Sequence, residues 1–66
     1  MNESYQNHGW TEYKKGKPVN SDYYLVFAVR EQDIFKEFYD ADLGGWLEYN
    51  DDDISHWQPL PQAPAK

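Results

Sequence analysis

Tyr23-Tyr24-Leu25-Val26-Phe27-Ala28-Val29 carries the strongest structural signal in the chain. It is the longest unbroken apolar run in the chain, rich in aromatic and β-branched residues, and Asn20, Ser21 and Asp22 precede it as turn formers. That composition reads as a β-strand. Alternation puts Tyr23, Leu25, Phe27 and Val29 on one face and Tyr24, Val26 and Ala28 on the other. Both faces are apolar, so the strand is expected at the centre of a sheet, covered on both sides. The run is far too short to span a bilayer, which takes about 20 residues as a helix.

Upstream of this strand, Lys14 to Asp22 reads as a loop, because Gly16, Pro18, Asn20 and Asp22 all interrupt regular structure. Trp10 is the first expected anchor, and residues 1–8 are polar without periodicity, an expected flexible arm. Downstream, Asp33 to Tyr39 fits a helix (Ile34, Phe35 and Phe38 on one side) or a strand (Phe35, Glu37 and Tyr39 opposite Ile34, Lys36 and Phe38). A helix of this length is marginal and aromatics favour strands, so a strand is preferred. Leu43-Gly44-Gly45 makes a turn, Trp46 to Tyr49 a further strand, Asn50 to Asp53 a second turn, and Ile54 to Trp57 a last strand. The expected fold is small, all-β or α+β: a three- to four-stranded antiparallel meander with an extended Pro-rich C-terminal tail. One domain is expected over residues 9–60, with the tail at 61–66.

Sixty-six residues sit near the lower limit for independent folding, since so short a chain buries only about 60% of its unfolded surface. Aliphatic residues are few, and twelve aromatics must supply much of the core. That is more than one small core needs, so some are expected on the surface or in a homo-oligomer. There is no cysteine, which excludes disulfides and thiolate metal sites and fits a reducing cytoplasm. The first eight residues lack the basic and apolar regions of a signal peptide. The net charge of −6 is concentrated: residues 31–53 hold nine acids against Lys36 alone. Such a surface disfavours direct nucleic-acid binding, which needs basic side chains, and suits a basic partner.

The chain closes on His56-Trp57-Gln58-Pro59-Leu60-Pro61-Gln62-Ala63-Pro64, where three prolines in six residues are expected to end strand pairing. This ending resembles the C-terminal signature His-Trp-x-Pro-Leu-Pro of a small family of unknown function carried mostly by phages and prophages. Gly9-Trp10, Leu25-Val26, Phe38-Tyr39-Asp40 and Gly45-Trp46 follow the same family's motifs in order, over roughly residues 9–64. The chain departs from the pattern in its lysine-rich segment 14–17, where the family has a Leu-Pro loop, and in Gln58, where it has Met. The resemblance implies a small β-rich fold and a phage origin, hence the cytoplasm of a bacterial host. It implies no catalytic residues. His56, Trp57, Pro59, Leu60 and Pro61 are its signature residues, and Trp57 to Leu60 is read as a latch onto the core.

No catalytic constellation is expected. Ser55 and His56 with nearby aspartates suggest a triad, but neighbours in a strand point to opposite faces and meet only across a bulge. His56 is read instead as a half-buried histidine bonded to backbone near the tail. Asp40, Asp42, Gly45 and Asp51 partly fit a calcium loop, but Gly44 and Trp46 occupy ligand positions and the closing residue is not Glu, so a hairpin turn is preferred and no metal or cofactor is expected. The function expected is non-enzymatic: a phage accessory protein that binds and inhibits a host protein, such as one in antiviral defence or one that itself binds nucleic acid. Its surface would combine Glu31, Asp33, Glu37, Asp40, Asp42, Asp51, Asp52 and Asp53 with Tyr39, Trp46 and Tyr49 as aromatic anchors. An alternative is an oligomeric binder that sequesters a nucleotide or nucleotide-derived signal through Lys14, Lys15, Lys17 and Arg30. A third is a structural accessory module with no ligand.

Overall fold

The computed structural model describes residues 8–64; residues 1–7 of the arm expected at 1–8, and residues 65–66 of the tail, lie outside the described residues. Five strands form one antiparallel sheet: β1 (Thr11–Glu12), β2 (Asp22–Ala28), β3 (Asp33–Asp40), β4 (Gly45–Trp46) and β5 (Ile54–Pro59). Their spatial order is β1-β5-β2-β3-β4. The fold is a small, curled all-β domain with almost no helix.

The segment 33–39, open between helix and strand, is a strand. Its alternating side chains pair in unbroken register with β2 from Asp22↔Tyr39 to Ala28↔Asp33. A four-residue turn joins the two, closed by the Gln32 amide on the Ala28 carbonyl (2.8 Å), with Gln32 in the left-handed region at φ +55°. After β3 the chain reverses through Ala41 to Gly44. Gly44 has φ +77° and donates its amide to Asp40 (2.8 Å), a conformation that favours glycine.

The meander holds for β2, β3 and β4 and then stops. Only Gly45 and Trp46 pair with β3, so the strand expected over 46–49 is two residues long and begins one residue earlier. Residues 47–53 instead carry the chain back across the sheet, ending in a 3-10 turn at Asp51–Asp53. Asp53 Oδ2 accepts the Asn50 amide (3.1 Å), which ties that turn together. The last strand therefore pairs with β2, not with β4. Three hairpin-connected strands with the fourth returning beside the first make a Greek key. β5 also runs two residues past Trp57 and includes Pro59, whose place at a strand end loses no internal ladder bond.

β2 is central in the sheet but covered on one face only. The covered (inner) face carries Tyr24, Val26 and Ala28, packed with Tyr13, Tyr39, Trp46 and Ile54 as the core. The outer face carries Tyr23, Leu25 and Phe27, and Tyr23 is 49% exposed. Nothing among the described residues crosses that side as residues 47–53 cross the other. Of the latch expected over Trp57 to Leu60, Trp57 packs against the core. Its ring meets Tyr24 edge-on at 5.1 Å, and its Nε1 donates to the Gly16 carbonyl (2.7 Å), fixing the lysine loop to the core.

Candidate functional site

The acidic half of the chain does not form one surface. Asp33 Oδ1 accepts the neighbouring Ile34 amide (2.7 Å), and Asp40 Oδ1 accepts the amides of Asp42 and Leu43 (2.9 and 3.2 Å). These carboxylates hold turns and strand ends. Asp51 takes the Tyr13 hydroxyl (2.8 Å) and an ion pair with Lys17 (3.6 Å), and Lys17 lies 5.4 Å from the Tyr13 ring centre. Burial and then that bond to Asp51 push the Tyr13 phenol well above its ordinary value of 10.0.

The acids whose charges bear together on one group are Glu31, Glu37, Glu48 and Asp53, and that group is Tyr49. Burial and then these four charges raise the Tyr49 phenol. Glu37 is itself raised, first by burial and then by Glu48. The Tyr49 ring stacks on Phe35, with centres 6.5 Å apart and planes at 30°. Phe35 and Glu37 share the inner face of β3 because they are two residues apart. Residues 47–53 bring Glu48 and Tyr49 over that face from outside the sheet.

Two of the expected anchors are not on the surface. Tyr39 is 3% exposed and Trp46 6% exposed. Trp46 is the centre of an aromatic cluster, with Tyr39 at 4.9 Å, Tyr13 at 5.7 Å and Tyr24 at 6.3 Å. Both belong to the core, and Phe35 takes their place beside Tyr49. Phe35 was legible in the alternation of Phe35, Glu37 and Tyr39. Glu48 was not, since a regular strand over 46–49 would have put it on the face opposite Tyr49.

The lysine loop and the acidic turn face each other. Tyr13, Lys14, Lys15, Gly16 and Lys17 line a cavity of about 390 Å³ together with Asp51 and Asp52. A phosphate there would meet two carboxylates as well as the lysines, and Arg30 lies apart on the β2–β3 turn.

Ser55 and His56 do meet. The register of β5 against β2 shifts between Phe27↔His56 and Ala28↔Ile54, so Ser55 is an extra residue. This β-bulge turns Ser55 Oγ onto His56 Nδ1 (2.8 Å), so His56 bonds a side chain and not backbone near the tail. Among the described residues no hydrogen bond orients the other ring nitrogen, as a catalytic base requires; Trp10 meets the ring edge-on at 6.5 Å. His56 faces the outer side of the sheet, where Trp10, Phe27 and Ile34 complete an apolar cleft of about 370 Å³.

No family model matches the chain, and neither does any curated protein or solved structure. No helix among the described residues is long and apolar enough to cross a membrane.

Proposed function

We propose that this chain is a non-enzymatic binding protein that occupies a basic surface of a protein partner through the acidic patch around Tyr49. The observation that carries this reading is that the charges of Glu31, Glu37, Glu48 and Asp53 all bear on the phenol of Tyr49, whose ring stacks on Phe35. An aromatic anchor surrounded by carboxylates suits an Arg or Lys side chain, which gains Coulomb attraction and a ring face together. The resemblance to a phage-carried family makes a host protein the partner to seek first, an antiviral defence component among them, and inhibition by occupancy the expected outcome.

The test is capture from bacterial lysate with the tagged protein and with a Glu37→Lys/Glu48→Lys variant whose folding is verified by circular dichroism. A host protein retained by the parent chain, released as salt rises and lost by the variant supports the reading. Equal retention by both at low salt sinks it.

A further inference from the structure

The sheet has two edges, and they are not alike. On one side β1 covers β5 at Trp57 and His56, and the Tyr13 amide reaches the Ser55 carbonyl (2.9 Å). Pro59 and Pro61 lack amide hydrogens there. On the other side β4 covers β3 only at Tyr39 and Asp40. The Phe38 carbonyl accepts the Leu47 amide (3.2 Å), so the backbone groups of even-numbered β3 residues point outward from β2. By the same alternation, the amide and carbonyl of Lys36 and the carbonyl of Ile34 point past the edge. Among the described residues they have no backbone partner. The Ile34 amide is already taken by Asp33.

An open edge is commonly guarded by a charged side chain. Lys36 does not serve so: its Nζ leans back over the Tyr23 ring of β2, 5.0 Å from the centre, and leaves the edge bare. Ile34 beside it is 49% exposed. The inner face at this edge is the acidic patch itself, Phe35 and Glu37 with Tyr49 and Glu48.

We infer that the partner of the acidic patch binds as an extended segment, added as a strand to the β3 edge at Ile34–Glu37, with basic side chains at alternate positions. Strand addition draws affinity from backbone bonds and specificity from alternate side chains. Opposite Ile34 and Lys36 the added strand places its apolar residues on the outer face, beside Ile34 and Phe38. Opposite Phe35 and Glu37 it places its basic residues over the carboxylates. The inference rests on the acidic-patch reading and adds to it the backbone geometry of the partner.

The probe is the end-blocked peptide Val-Arg-Val-Lys-Val-Arg-Val, titrated at low salt. Two matched peptides carry N-methyl groups, one on the central valines and one on the three basic residues. Strand addition turns the valine amides toward the β3 edge and the basic-residue amides away from it. Methylation of the valines should then weaken binding by about tenfold or more, and methylation of the basic residues should not. Exchange of the Lys36 amide should slow by about tenfold in the complex. If both methylated peptides bind alike and Lys36 exchange is unchanged, while Glu37→Lys abolishes binding, strand addition is wrong and the acidic patch stands. If no peptide binds, both fall.

Discussion

Replacing each of two tryptophans by phenylalanine sets burial against hydrogen bonding. Trp46 is the more buried, and its Nε1 has no hydrogen-bond partner among the described residues. Trp57 is half-buried, and its Nε1 donates to Gly16. The substitution removes two ring carbons along with the N–H, about 1.6 kcal/mol when fully buried at roughly 0.8 kcal/mol per carbon. At Trp46 that loss is offset by relief of an unmade buried donor, about 1–3 kcal/mol, leaving Trp46→Phe within about 1.5 kcal/mol of the parent. At Trp57 half the carbon contribution, about 0.8 kcal/mol, adds to a lost hydrogen bond of about 0.5–1.5 kcal/mol. Trp57→Phe is thus expected to be the more destabilising by about 1–4 kcal/mol, a shift of at least several degrees in Tm for a domain this small. Urea unfolding followed by far-ultraviolet circular dichroism measures both without relying on tryptophan emission. If Trp46→Phe costs as much as Trp57→Phe, the reasoning from the unpartnered Nε1 is refuted.

Two predictions concern pH. The folded chain holds the Glu37 proton more tightly than the unfolded chain does, so stability falls as pH rises from the ordinary value of 4.5 through the raised one. Glu37→Gln should therefore raise Tm at neutral pH and leave it unchanged at pH values below 4.5; an equal gain at both would contradict this. The Tyr13 phenol is raised by burial and by Asp51, so stability should fall as pH climbs above 10.0, where the unfolded chain ionises and the folded one does not. Tyr13→Phe should flatten that alkaline limb, read from thermal melts between neutral and alkaline pH, and an unchanged limb would exclude Tyr13 as its cause.

Local sequence specified the strand β2 and favoured a strand over a helix for β3. Apolar and aromatic alternation between turn formers is a local signal, and the two strands are neighbours joined by a short hairpin. The composition also implied that twelve aromatics are more than one small core can bury, so that some would lie at least partly on the surface. Which of them do depends on how the chain crosses the sheet. Tyr39, Trp46 and Tyr49 are equivalent as composition, yet two are core and one is half-buried against it, because residues 47–53 cross a single face of the sheet and cover what lies beneath. The partner of β5 was equally illegible, since a strand chooses its edge by where the returning chain can reach, not by its own residues. The bulge at Ser55 follows from that choice: Ile54 and Trp57 both turn to the core although they are three residues apart, an odd spacing that plain alternation would put on opposite faces, and one extra residue keeps them on the same face. The open β3 edge has the same origin, because β4 pairs at only two positions before the chain leaves to cross the sheet.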